Sequence, residues 1–488
     1  MSSHPVAPEI SRPLPPRTKF FWALGSLGDN YALNSLAQLK DPVYVVALGV
    51  PAEIIGWALS VPRAIDAFVD PLVGHASDNS RSRFGRRRPF ILAAALPLAG
   101  FCYLLWTPPA HWGPQALAWY FLATTMAFYV AYSFFAVPCR ALGLELTADY
   151  DERTSVQTWA MTVALVGGLT LPWLFKLSLL LGQGRARPGL GEQAGTLLTG
   201  VGYLAIGIAV ILLLACSAPA LFCREKVQPS VGTPPLSLRR AFLETLQNRP
   251  FRHLVGMNFL ATTATMMPGT IMLLVAIHYL LGGDQNQAAT LMGYTGTASV
   301  VGAILGLPLN AWISRRLGKH GAAITSIALT AAAFLSFIVT LSPGHPYWSI
   351  ISYFILGCGV QGIWLMSATM LADVCDEDEL HTGRRREGMY GAVFSLQQKL
   401  GYAFSALLGG YLVRACGYTS GGTPSAAVVK NLHDALIYGP LLALALSAGA
   451  AARYPLTKER LAAIQSALRP RTGTTPPPNE GHLREARR

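Results

Sequence analysis

Residues 57–90 read WALSVPRAIDAFVDPLVGHASDNSRSRFGRRRPF. The first part is an apolar run of helical length that carries three ionisable residues, Arg63, Asp66 and Asp70, and the second is a short loop with Arg81, Arg83, Arg86, Arg87 and Arg88. Asp66 and Asp70 are four positions apart, so both carboxylates project from one face of a helix. A carboxylate at the centre of a bilayer costs at least ~2.5 kcal/mol on insertion scales, so such residues normally face a cavity and act there. In the competing reading Arg63 pairs with Asp66 and the group merely packs two helices. One arginine does not neutralise two acids, however, and the surplus negative charge suits a cation.

The rest of the chain repeats the apolar theme. It has 488 residues, 52% hydrophobic and only 13% charged, where a soluble chain carries about 25% charged residues. Apolar runs of roughly 20 residues, enough for a helix to cross the ~30 Å hydrocarbon layer, recur along nearly the whole length. They place spans near 18–48, 51–76, 88–107, 116–143, 154–182 and 196–222, then 251–281, 286–313, 321–342, 347–373, 387–415 and 432–453. The polar, proline-containing stretch at 223–250 divides these into two halves, 18–222 and 251–453, flanked by tails at 1–17 and 454–488. The expected fold is thus an all-α membrane protein of twelve transmembrane helices in two six-helix bundles. The halves echo each other weakly: SDNSRSRFGRRRP after the second span resembles ISRRLGKHG after the eighth. Repeated halves are the architecture of a secondary transporter, with the solute near the midplane between them.

Charge sets the topology. Arginine and lysine gather after the second span, in the central stretch (Arg224, Lys226, Arg239, Arg240, Arg249), after the eighth (Arg315, Arg316, Lys319) and after the tenth (Arg384, Arg385, Arg386), while loops such as GGDQNQ lack them. Basic loops mark the cytoplasmic side, so both termini are expected there, in a multi-pass plasma membrane, most naturally a bacterial inner membrane. Arg185 and Arg187 in the fifth-to-sixth loop depart mildly from this rule. The first residues are polar and proline-rich, without the pattern of a cleavable signal. A net charge of +13 lies in loops and tails, which argues for topology and against nucleic acid. The seven cysteines show no metal-ligand spacing, and no Walker loop, zinc motif or nucleophile elbow is present, so neither an enzyme nor an ATP-driven pump is expected.

Three segments carry a more specific resemblance: RAIDAFVDPLVGHASDNSRSRFGRRRPF, FFAVPCRALGLELTADYDERT, and LADVCDEDELHTGRRREGMYGAVFSLQQKLGYAFSALLGGYLV. Together they resemble the second helix and loop, the fourth helix and loop, and the tenth-to-eleventh connection of the glycoside-pentoside-hexuronide:cation symporters, the melibiose permease family of the major facilitator superfamily. The resemblance implies that Asp66 and Asp70 bind the coupling cation with help from the Ser133 hydroxyl. It implies a solute site of Asn30 with the adjacent Asp29, Tyr132, Trp364 and Lys399. It further implies a cytoplasmic gate in which Asp373 and Asp376 meet Arg385 and Arg153. The chain departs from the family at Ala136, in place of an acid, at Arg140, in place of an aromatic, and at Ala160, in place of an arginine.

Each of these residues has a plainer reading. Lys399 on an apolar helix serves a solute or pairs with a carbonyl or Glu387. Arg140 pairs with Glu145 or lines the cavity, where its planar fork would suit the carboxylate of a hexuronide. The acids at 373–379 form a gate or a solvated charge run. His75 and His278 are single histidines best read as local hydrogen-bonding residues. The coupling ion is expected to be a proton, with sodium or lithium as the alternative: sodium needs several oxygen ligands, Val69 withholds an amide oxygen, and a proton needs only a buried carboxylate with an acidic neighbour. The function expected is cation-coupled symport of a sugar or glycoside by a monomer embedded in lipid, with no cofactor and no metal beyond a coupling sodium. A carrier of lysolipids and a solute sensor that does not transport are the rivals.

Overall fold

The computed structural model describes residues 14–80, 82–147, 149–187, 189–223, 225, 238–383 and 386–468, which are helical with no strand among them. In chain order the helices are α1 (Pro16–Lys40), α2 (Ala52–Asn79), α3 (Arg88–Trp106), α4 (Pro114–Glu145), α5 (Tyr150–Gly168), α6 (Leu174–Gly182) and α7 (Glu192–Phe222). After the central stretch come α8 (Leu238–Gln247), α9 (Arg249–Met266), α10 (Gly269–Leu274), α11 (Gln285–Thr340), α12 (Ser349–Thr382), α13 (Glu387–Ala415), α14 (Ala426–Ala452) and α15 (Lys458–Leu468). Side-chain caps start several of them: Asp149 accepts from the Glu152 N–H, Asn248 from that of Phe251, and Asp284 from those of Asn286 and Gln287, each at 2.9 Å.

The rods follow the apolar runs, with informative differences. The fifth span breaks at Pro172, which lacks an N–H, so a 3₁₀ turn over Leu171–Trp173 separates α5 from α6. α11 comprises two helices that meet at Gly318, within the ISRRLGKHG joint the sequence suggests; its φ of 73°, which only glycine adopts readily, interrupts the helix there. α1 and α10 each continue into a π-helical segment, Asp41–Ala47 and Val275–Leu280, at the same end of the two halves. The central stretch contains a short helix, α8, and the C-terminal tail contains α15. The tenth span extends well past residue 373, so the acids of 373–379 lie inside α12, with Asp373, Glu377 and Asp378 buried. A solvated charge run is thereby excluded for those three.

Eight of these helical stretches are long and apolar enough to cross a membrane, α11 counting as one. With its two rods taken separately, and with α1, α2 and α13 added, the described residues form twelve rods of comparable length. Those three additions fall short on apolarity because they carry charged residues, Asp29 and Lys40, then Arg63, Asp66 and Asp70, then Lys399. α1–α7 pack together as one bundle and α9–α14 as another.

The bundles meet chiefly through α2 against α13 and α6 against α11. Small residues let the backbones approach there, as expected between membrane helices. A Cβ on Gly56 would stand 2.7 Å from the Ala406 carbonyl oxygen, and one on Gly410 would stand 2.6 Å from that of Ala52. Trp57 donates to the Tyr411 hydroxyl at 3.0 Å, Trp173 to Thr297 at 2.9 Å, and Lys176 to Asn286 at 2.6 Å, all from one half to the other and all at the end away from the arginine-rich loops. That end is closed. Gly410→Leu is expected to hold it open, so that a cysteine placed at Gln38 reacts with an impermeant maleimide from that side in the variant and not in the parent. Equal labelling of both would dissociate this packing from closure.

Candidate functional site

α2 carries Asp66 and Asp70 toward α13, and Lys399 answers both. Its Nζ lies 2.7 Å from Asp66 Oδ2 and 2.6 Å from Asp70 Oδ2, with the Asp66 carbonyl oxygen at 3.3 Å. The Asp66 side chain is fully buried, Lys399 is 14% exposed and Asp70 25%. Ser133 of α4 donates a short hydrogen bond to Asp66 Oδ1. The Arg63 guanidinium stands 4.0 Å from Asp66 Oδ2, between the rings of Tyr129 and Tyr402 at 4.9 and 5.3 Å. A cation held between two aromatic faces is stabilised electrostatically where water is scarce.

This geometry corrects two expectations. Two cations face two acids, so the cluster carries no surplus negative charge. In this conformation Lys399 bonds the expected cation site of the other half, where its plainer partners in the sequence are a carbonyl or Glu387; the carbonyl it touches is that of Asp66, further away than either carboxylate. Tyr129 and Tyr402 escaped the sequence reading, although Tyr402 follows Lys399 by three positions and Tyr129 precedes Ser133 by four, spacings that share a helix face. Trp364 stacks on Tyr402 with ring centroids 6.1 Å apart, which brings it to the same cluster.

A second constellation lies on the first half. Tyr132 donates to Asp29 Oδ1 at 2.6 Å, and Arg140 Nη2 reaches the same oxygen at 3.1 Å and the Tyr132 hydroxyl at 3.0 Å. The pairing of Arg140 with Glu145 does not hold, since Glu145 is taken by Arg86 at 2.8 Å and Arg87 at 3.1 Å. The Arg140 side chain is 61% exposed. Asn30 points elsewhere: it donates to the Ala164 carbonyl at 3.0 Å and accepts from Asn34 at 2.8 Å, tying α1 to α5. Asp29, Asn30 and Ala160 line a hollow of about 290 Å³ on this half.

At the arginine-rich end the ion pairs among the described residues stay within one half. Lys319 bonds Asp373 at 2.5 Å, Arg386 bonds Asp378 at 2.5 Å and Glu244 at 3.3 Å, and Arg460 bonds Glu377 at 3.1 Å. Arg386 lies just outside the spans, and the Asp378 carboxylate raises its affinity for its proton further, so it stays charged. Arg153 donates to the Thr147 carbonyl at 3.0 Å, and Asp376 is half-buried beside Asp373. Arg385 lies outside the described residues. Among the described residues, Arg153 and Asp373 each bond within their own bundle. His75 bonds Asn79 one turn on, and His278 lies against the Tyr418 ring, local roles in both cases.

An all-α membrane protein of two bundles, joined at one end and bridged by a buried charge cluster, is built as a solute transporter and not as an enzyme. The chain belongs to the MFS/sugar transport protein family, whose model matches residues 21–458. Among curated relatives it is 26% identical over 460 residues to the inner membrane symporter YicJ of Escherichia coli, covering 93% of this chain and 94% of that one. It is 23% identical over 450 residues to the isoprimeverose transporter of Lactiplantibacillus pentosus, covering 90% and 88%. Among solved structures, a bacterial homologue of the human lysosomal transporter Spinster, inward-facing and unoccupied, superposes with a TM-score of 0.60 at 15% identity, covering 92% of this chain and 96% of that one.

Proposed function

We propose that this transporter moves a sugar or glycoside together with a proton by alternating access, and that Lys399 is the switch between the two. The observation that carries the reading is the bridge from Lys399 of the second half to Asp66 and Asp70 of the first. Without solute, Lys399 and Arg63 together neutralise the two acids and a proton gains little by binding. A solute that takes the Lys399 donors frees the carboxylates, and a proton then restores the charge balance. Each ligand thereby strengthens the other, the reciprocity that coupling requires. Relatives named as symporters support a coupling ion and a sugar as cargo.

With basic loops inside, the conformation described is inward-facing and both termini are cytoplasmic, in a bacterial inner membrane. Arg153, Asp373, Asp376 and Arg385 would then join across the halves in the outward-facing state. Arg140 binds Asp29 and Tyr132 through one nitrogen only, and its other N–H groups suit a carboxylate. An acidic sugar such as a hexuronide therefore fits better than a neutral one.

The test is uptake into proteoliposomes driven separately by a pH gradient and by a sodium gradient, in the parent and in Val69→Asn. A pH gradient is expected to drive the parent, and Val69→Asn, which adds an amide oxygen beside the acids, is expected to gain sodium-driven uptake. Parent uptake that follows sodium and ignores pH would sink the proton assignment. Absence of solute counterflow would make the protein a sensor.

A further inference from the structure

Between the halves, on the closed side of the charge cluster, lies a cavity of about 550 Å³. It lies within the ~300–1,000 Å³ range of sites that enclose drug-sized ligands. Its two walls differ in chemistry. The first half contributes amides and a charge pair from α1: Asn30, Asn34 and Gln38, with Lys40 bonded to Asp41. The second half contributes four methionines, Met266, Met267, Met272 and Met292. The threonines on that wall already donate elsewhere, Thr265 to the Ala261 carbonyl at 3.0 Å, Thr295 to that of Leu291 at 3.0 Å, and Thr270 to Asp41 at 3.0 Å, and its other hydroxyls belong to Ser299, Tyr353 and Tyr402.

A sugar ring set against the methionine wall would leave its own hydroxyls without partners, a desolvation that disfavours it there. Apolar groups suffer no such penalty, and methionine side chains adapt to varied apolar shapes. The cavity is continuous with the polar groups of the proposed solute site: Tyr402 lines it while facing Arg63, and Asn30 and Asn34 line both it and the hollow around Asp29. One ligand can therefore meet both environments.

We infer that the solute is amphipathic, a glycoside whose sugar lies at the polar junction of Asp29, Asn30 and Lys399 and whose apolar aglycone fills the methionine-walled cavity. This rests on the sugar-symport reading and deepens it. The experiment is binding to the full chain in lipid nanodiscs, free of glycoside detergents, of methyl, butyl and hexyl glucuronides, measured by calorimetry. Affinity is expected to rise about fourfold for each methylene until the cavity is filled. Met272→Trp and Met292→Trp, which occupy the cavity, flatten that rise, and Met292→Ala extends it to longer chains. A series already flat in the parent would overturn the aglycone site while leaving the sugar site standing. A rise equally steep in both tryptophan variants would assign the gain to partition into lipid and overturn it as well. Binding of no member at any length would overturn the sugar reading and the aglycone site together.

Discussion

Asp66→Asn and Asp70→Asn are each expected to abolish uphill accumulation of solute while equilibrium exchange persists. Each substitution keeps the shape of the side chain and removes one of two carboxylates facing Lys399 and Arg63, so an uncompensated positive charge remains in the cluster. A proton then has no charge deficit to repair, and its gradient no longer drives the cycle. The two variants should differ in stability. Asp66 is fully buried and holds Lys399, Arg63 and Ser133, whereas Asp70 is a quarter exposed and holds Lys399. Removing one partner of a fully buried pair costs about 3–5 kcal/mol, so Asp66→Asn is expected to lower the unfolding temperature clearly and Asp70→Asn less, because solvent screens it. Normal accumulation by both variants would remove the acids from the coupling mechanism.

Lys399→Ala is expected to abolish solute binding measurable by calorimetry, with a fall in thermal stability. The stability loss has a specific origin: two carboxylates remain opposite Arg63 alone, whose guanidinium is 4.0 Å from the nearer one. The double variant Lys399→Ala with Asp70→Asn removes a cation and an acid together, and should be more stable than Lys399→Ala alone. Such non-additivity is expected for residues in direct contact. Uphill transport stays absent in the double variant, because the switch is gone. A Lys399→Ala protein with unchanged solute affinity would confine the lysine to a structural bridge between the halves, and additive stabilities would show that the bridge is energetically slack.

The candidate site was legible in the sequence to the extent that ionisable residues stand out against lipid-soluble helices. Arg63, Asp66, Asp70 and Lys399 each interrupt an apolar run, and the cost of placing them there marks them for attention whatever their partners. The partners themselves were not legible. Lys399 follows Asp70 by more than three hundred positions, and nothing in either local segment says that α13 crosses α2 at that level. The same holds for Arg140, whose neighbour in sequence is Glu145 and whose neighbour in space is Asp29, on a helix more than a hundred positions earlier. The acids of α12 show the opposite error. Read locally they form a charge run at a helix end, yet Lys319, Arg386 and Arg460 converge on them and make their burial possible.

Read alone, the sequence marks the apolar runs that become rods, their division into halves and the end at which the basic loops gather. All three depend on one-dimensional quantities: the apolar length a bilayer demands, the proline-rich interruption at its centre and the asymmetry of arginine between loops. The charge balance of the cluster around Lys399, the end at which the halves close and the methionine wall of the cavity between them come from the tertiary structure. Those depend on which helix faces meet, and that is set by close backbone approach at residues such as Gly56 and Gly410, where the absence of a side chain matters and leaves no periodic trace in the sequence.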